Sequence, residues 1–305
     1  MELFRKSRTP AVAIVNTASG VKGSDQSRDE ITRLVRQELP GTEVVFTGNG
    51  YRAIDETHRA LERGAVLVIA GGGDGTISAV ASVLAGTGKV LGVLPLGTRN
   101  HFARDLGISG DLAEAVRVLS EGMERRVDVG EVNGRVFINN SGLGLYPLIV
   151  NLREERQEQG VPKRRAMIVA CLHALARYRL LSVHVTAGGK RIIRRTPIVF
   201  VGNNEYAMDG LNLGSRSRLD SGELSLVIPH HIARLGLAWF VLKALMGGGR
   251  NDPNLDVLPA REFVIRAGHR IVQATVDGEV VTLTTPLNYR IRAGDLRVLA
   301  PGHGR

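Results

Sequence analysis

Six consecutive residues, Gly71-Gly72-Gly73-Asp74-Gly75-Thr76, join a short apolar run, Ala65–Ala70, to an amphipathic segment of Ile, Val, Leu and Ala. Glycines this dense permit φ > 0 turns and let the main chain approach whatever lies against it. The run before them is too short for a helix and β-branched enough for a buried strand. Thr76 is placed to cap the following helix, whose first N–H groups carry the positive end of its dipole. Strand, glycine loop and helix N-terminus together make an anion site, above all for phosphate. Asp74 is the odd member, because a carboxylate repels phosphate unless a cation lies between them. It reads as a residue that holds Mg²⁺ or positions a neighbour. A tight strand-to-helix turn without a ligand would use the same glycines. The pattern is neither a GxxxxGK[ST] loop nor a GxGxxG fingerprint.

Two further stretches carry small polar residues directly after buried-strand patterns. Asn16-Thr17-Ala18-Ser19-Gly20 follows Pro10–Val15, and Gly97-Thr98-Arg99-Asn100 follows Lys89–Pro95. Near the other end, Asp277-Gly278-Glu279 lies between the alternating runs Ile271–Val276 and Val280–Thr284, and Asp-Gly in that setting signals a hairpin.

The elements that must position these loops alternate over residues 10–125. Strands are expected at Pro10–Asn16, Glu43–Thr47, Ala65–Ala70 and Lys89–Pro95, with helices at Asp25–Leu39, Tyr51–Arg63, after the glycines, after Asn100 and at Leu112–Glu121, capped by Asp111. Such alternation means βαβ units, a doubly wound parallel sheet and ligands at the carboxyl ends of its strands. From about Val127 the texture changes to short strand-like runs joined by turns, the mark of a mostly antiparallel domain. The expected division is an α/β domain over 1–125, to which residues 297–305 return, and a β-rich domain over 126–296. Two helical stretches interrupt the second, Arg165–Leu181 and the apolar Ile232–Met246, which holds the only tryptophan, Trp239. The latter is either a buried helix or one that dips into a membrane interface.

Hydrophobic content of 43% and charged content of 23% are those of a globular protein. The single cysteine, Cys171, cannot form an internal disulfide, and its apolar helical setting makes it a core residue. Pro10 and Asn16 bracket the first apolar run too closely for a secretion signal. Neighbouring histidines, His230 and His231, lack the spaced partners of a metal site. The net charge of +10 is uneven: Arg153–Arg195 holds 11 Lys/Arg against 3 Glu, a local +8. That suggests an anionic surface. With aromatics at 4%, stacking platforms for single-stranded nucleic acid are not expected, and an anionic membrane fits better. A solvated arginine-rich face would have the same composition.

The three loops, in this order and with the change of texture, resemble the diacylglycerol kinase catalytic family of bacterial lipid kinases, which includes sphingosine and ceramide kinases and is distantly related to NAD kinases. Asn16–Gly20 is similar to NPxSG, Gly72–Thr76 to GGDGT, Pro95–Leu106 to P-x-GTxNDFAR, and Thr275–Glu279 to a C-terminal DGE. The resemblance implies a phosphofructokinase-like N-terminal domain, a β-rich C-terminal domain and an active site in the cleft between them. It implies that ATP contacts Asn16, Thr17, Ala18, Ser19, Gly20, Thr47, Gly71, Gly72, Gly73, Asp74, Gly75, Thr76 and Thr98, with Asn100 in the same loop. It also implies Mg²⁺, phosphoryl transfer to a lipid hydroxyl, a proton acceptor at Glu279 or Asp277 beside Asp74, and a cytoplasmic protein peripheral to the inner membrane face. Four departures stand out: Thr17 for proline, His101 for the aspartate of GTxND, Ser78-Ala79 for Asn-Glu, and Ser221 in Arg218–Glu223, where the family's LDDG holds a structural Mg²⁺. Either Asp220 or Glu223 then substitutes as the metal ligand, or that structural metal is absent. Two other readings stay open: an NAD kinase-like enzyme with a soluble acceptor, suggested by Asn203-Asn204-Glu205, and a nucleotide-binding homologue without catalysis.

Overall fold

A computed structural model of the 305-residue chain describes residues 10–17, 25–159, 165, 169, 173, 180–206, 215–229 and 255–302. The chain divides into two compact units, residues 1–129 with 293–305, and residues 130–292.

The first unit is an α/β layer. Its elements are β1 (Ala11–Asn16), α1 (Asp25–Glu38), β2 (Glu43–Thr47), α2 (Gly50–Glu62), β3 (Leu67–Gly72), α3 (Asp74–Leu84), β4 (Val90–Pro95), α4 (His101–Asp105) and α5 (Leu112–Glu121). Strand β5 (Met123–Val132) leads out of it, and β16 (Leu287–Ala300) leads back. The parallel order is β2-β1-β3-β4, with the end of β16 beside β4. Strands β1, β3 and β4 are nearly continuous β-branched or apolar runs because helices cover the parallel sheet. Ile14, Ile69 and Leu91 are fully buried there, as are Ile77, Val80 and Leu84 of α3. Asn49 caps α2 by accepting from the Arg52 N–H at 2.9 Å, and Asp111 caps α5 by accepting from Glu114 at 3.0 Å.

The second unit is antiparallel. Its strands are β6 (Arg135–Phe137), β7 (Asn140–Gly144), β8 (Leu181–Ala187), β9 (Lys190–Thr196), β10 (Ile198–Asn203), β11 (Leu224–Pro229), β12 (Leu255–Ala260), β13 (Glu262–Ala267), β14 (Ile271–Val276) and β15 (Glu279–Thr284). Helix α6 (Leu145–Glu158) follows β7. Among the described residues, six strands form one sheet in the order β12-β11-β10-β7-β14-β15. The first part of β16, β13, β8 and β9 pair side by side in another. Alternate residues of both sheets, including Val199, Leu226, Val185, Ile265 and Leu287, meet in one core with Phe263 and Tyr289. No helix among the described residues is long and apolar enough to cross a membrane. Cys171, His230, His231, most of Arg165–Leu181 and all of Ile232–Met246 with Trp239 lie outside the described residues.

Candidate functional site

Strand register brings the predicted loops of the first unit to one edge of its sheet. Asn16 is level with Thr47, Val15 with Gly71, and Gly72 with Pro95, so β1 to β4 all end together. The ends are fastened to one another. Asn16 Nδ2 donates to Thr76 Oγ1 at 3.0 Å, tying β1 to the first turn of α3. The Thr17 N–H donates to the Thr47 carbonyl at 3.0 Å. The Leu96 N–H donates to the Gly72 carbonyl at 2.9 Å, and the Phe102 N–H reaches Asp74 Oδ1 at 3.4 Å.

Glycine is required where the loops touch. A Cβ on Gly97 would lie 2.5 Å from the Gly73 Cα, and one on Gly72 would lie 2.7 Å from the Thr76 side chain. The helix starts earlier than expected: Gly73 is its N-cap, without a side-chain cap bond, and Asp74 is its first residue. Thr76 sits inside the first turn, where its hydroxyl meets Asn16 instead of capping. The α3 N-terminus, with the positive end of its dipole, therefore begins at the glycine loop, as an anion site requires. Asp74 lies in that first turn, and Thr98 is exposed on the neighbouring loop. Asn100, in the left-handed region at φ 48°, bonds within its own loop, to the Gly97 N–H at 3.0 Å and the Gly97 carbonyl at 2.9 Å. Buried Thr47 Oγ1 has no hydrogen-bond partner. Thr47 ends β2, level with Asn16 at the end of β1. His101 lies next to this edge; burial pushes its imidazole below the ordinary 6.5, against the upward pull of Asp74, while Arg104 and Arg99 also push down. Arg104 Nη2 donates to its Nδ1 at 2.8 Å. Ala18, Ser19 and Gly20 lie outside the described residues.

In the second unit, Asp277 and Gly278 are the two turn residues between β14 and β15, at φ 49° and φ 88°. Both positive values match the I′ hairpin turn that Asp-Gly favours. The Asp277 carboxylate accepts main-chain N–H bonds from Ile138 (2.8 Å), Asn139 (2.8 Å) and Asn140 (3.0 Å). Glu279 opens β15 with its side chain exposed. Of the two carboxylates, Asp277 is the one committed to holding the turn.

The expected metal ligands, Asp220 and Glu223, lie on one loop. Asp220 pairs with Arg218 Nε at 3.1 Å, and Ser221 Oγ accepts from Asn204 Nδ2 at 2.9 Å. Among the described residues no group of three or more His, Cys, Asp or Glu side chains is placed to hold a metal. This loop does not fit a structural Mg²⁺. The sequence reading missed Arg216, which is 4% exposed and bonds to Ile138, Asn139 and Asn203. Its only signal was the pair of asparagine doublets, Asn139-Asn140 and Asn203-Asn204, each following an apolar run.

Residues 10–132 match the family described as the diacylglycerol kinase catalytic domain, and residues 150–300 the YegS C-terminal NAD kinase beta sandwich-like domain. A Pseudomonas aeruginosa protein named "Probable lipid kinase YegS-like" is 30% identical over 258 residues, which cover 83% of this chain and 82% of that one. A Bacillus subtilis protein named diacylglycerol kinase is 31% identical over 236 residues, covering 74% and 76%. The crystal structure of a diacylglycerol kinase from Bacillus anthracis has the same fold, with a TM-score of 0.70 and 20% identity across 97% of this chain and 98% of that one. With both halves matched and the glycine loop, strand ends and hairpin in place, this chain belongs to the diacylglycerol kinase catalytic-domain family of lipid kinases.

Proposed function

We propose that the protein transfers the γ-phosphoryl group of ATP to the hydroxyl of a diacylglycerol-like lipid at an anionic membrane surface. The observation that supports this best is the single sheet edge where Asn16, Thr47 and Gly71–Thr76 meet, with the Thr47 hydroxyl unpartnered. Main-chain N–H groups of the glycine loop and the α3 N-terminus hold the phosphates, and Thr47 supplies a hydrogen bond to the nucleotide. Asp74 would hold the Mg²⁺ that accompanies ATP, since one carboxylate suffices where phosphates complete the coordination. That ion would screen the phosphate charge.

Glu279 is the proposed base. It takes the proton as the acceptor oxygen bonds to the γ-phosphorus and the bond to the β-phosphate oxygen breaks, leaving ADP. Asp277, with its three N–H bonds, fixes the turn that presents Glu279. The test is transfer of label from γ-labelled ATP into mixed micelles of diacylglycerol, monoacylglycerol, ceramide, sphingosine or phosphatidylglycerol, with NAD as the soluble acceptor. Label in one lipid is expected, with Asp74→Ala and Glu279→Gln each reducing it by about 10²-fold or more. Label in NAD alone, or transfer to nothing, overturns the proposal.

A further inference from the structure

Arg216 is a buried cation of the second unit. Its Nη1 donates to the Ile138 carbonyl at 2.6 Å and the Asn203 carbonyl at 3.2 Å, and its Nη2 to Asn139 Oδ1 at 2.9 Å. The guanidinium also lies over the Tyr206 ring, 5.3 Å from its centroid. Two main-chain carbonyls and an amide oxygen are the kind of donor set that a hard metal ion collects.

The same residues lead to the catalytic hairpin. The peptide group joining Ile138 to Asn139 gives its carbonyl to Arg216 at 2.6 Å and its N–H to Asp277 Oδ1 at 2.8 Å. One peptide dipole is thus clamped between a buried cation and a carboxylate, and each bond polarises the other. Asn203 Nδ2 donates to that Ile138 carbonyl at 2.9 Å, and the Asn203 N–H to the Asn139 carbonyl at 2.8 Å. The charge on Arg216 is therefore coupled to Asp277 through this peptide group. At the 218–223 loop, Arg218 Nε donates to Asp220 Oδ1 and Asn204 Nδ2 to Ser221 Oγ.

We infer that Arg216 replaces a structural cation in this unit: it is a positioning residue that holds the Asp277 turn, and with it Glu279, independently of metal. Its catalytic consequence rests on the role proposed for Glu279, whereas the scaffold does not. The two are separated by measuring hydrogen–deuterium exchange on the full chain without nucleotide, in Mg²⁺ and after EDTA. Peptides covering Ile138–Asn140 and Val276–Glu279 are compared in wild type, Arg216→Lys and Arg216→Met. EDTA is expected to leave wild-type exchange unchanged. Arg216→Met is expected to speed both regions about 10-fold or more, the scale of one lost bond to a charged donor, with Arg216→Lys between. Peptides over Leu67–Leu84 should not change. Acceleration of wild type by EDTA, or no acceleration in either variant, overturns the inference. Should Arg216→Met fail to fold, the EDTA comparison and Arg216→Lys still decide it. In the transfer assay, Arg216→Lys should lower kcat and leave KM for ATP unchanged. An inactive wild type would remove the kinase reading while the exchange result stands.

Discussion

His101 stands where the family carries aspartate, and its chemistry is set by what surrounds it. Burial dominates and lowers its pKa below 6.5, so the ring is neutral near pH 7. The Arg104 donor at Nδ1 requires the acceptor lone pair of that neutral ring. With the folded pKa depressed, the unfolded chain binds more protons below about pH 6.5, so stability falls as the pH is lowered from there through the folded pKa. His101→Gln is therefore expected to flatten the decline of the thermal midpoint between pH 7 and 5, measured by circular dichroism. An unchanged slope would contradict this. Tyr289 is the converse case. Its phenol is fully buried against Ser141 Oγ at 3.0 Å, and burial pushes its pKa up to about 12. The folded chain keeps that proton above pH 10 while the unfolded chain releases it, so this contribution to stability is lost as the pH rises toward 12. Tyr289→Phe should remove that alkaline loss and cost about 1 kcal/mol at pH 7 in urea unfolding, because the Phe263 stack survives.

At the level of elements, the first-unit loops depend on contacts that admit no side chain. Gly97→Ala would place a Cβ 2.5 Å from the Gly73 backbone, and the two loops must part. Overpacking of this kind costs about 1–3 kcal/mol, so ATP affinity should drop by about 10-fold or more in calorimetric titration. Ordinary affinity in the variant would sink the idea that the loops act together. The strands carrying these loops were readable because Ala65–Ala70 and Lys89–Pro95 have the β-branched, uninterrupted pattern of a covered parallel sheet. β7 was not. Its sequence, Asn-Ser-Gly-Leu-Gly, reads as a loop, yet it lies between β10 and β14. Gly142 is needed there because a Cβ would lie 2.4 Å from the Tyr146 ring, a demand visible only after α6 has packed. β12 contains Pro259 and stands at the end of its sheet, where a missing N–H is tolerated. The site shows the same division. Asp277-Gly278 announced its hairpin from local chemistry, whereas the three amides that hold the carboxylate lie nearly 140 residues earlier in the chain. Arg216 was not legible because Ile138 and Asn203, whose carbonyls it bonds, are brought together only by the fold.

For the molecule as a whole, the lipid acceptor proposed above would be met at an interface, and the surplus of positive charge suits an anionic one. The described part of the basic segment includes β9, which stands at the end of its sheet. Along it, Arg191, Ile193 and Arg195 share an exposed face, with Ile193 54% accessible. Opposite them on β8 are Thr186, His184 and Ser182, so the face is polar and basic around one aliphatic side chain. Each arginine near an anionic bilayer contributes about 1 kcal/mol at most, and the attraction decays within a Debye length of about 10 Å at 0.1 M salt. Two charge reversals on this face should therefore weaken binding well beyond the loss of one contact. Arg191→Glu with Arg195→Glu is expected to reduce co-sedimentation with phosphatidylglycerol vesicles by at least about 10-fold at 0.1 M salt, and wild-type binding should fade toward 1 M. Neutral phosphatidylcholine vesicles should capture neither protein. Equal sedimentation of the variant and wild type would move the membrane contact away from β9. Binding that ignored salt would argue for insertion of apolar groups in place of charge.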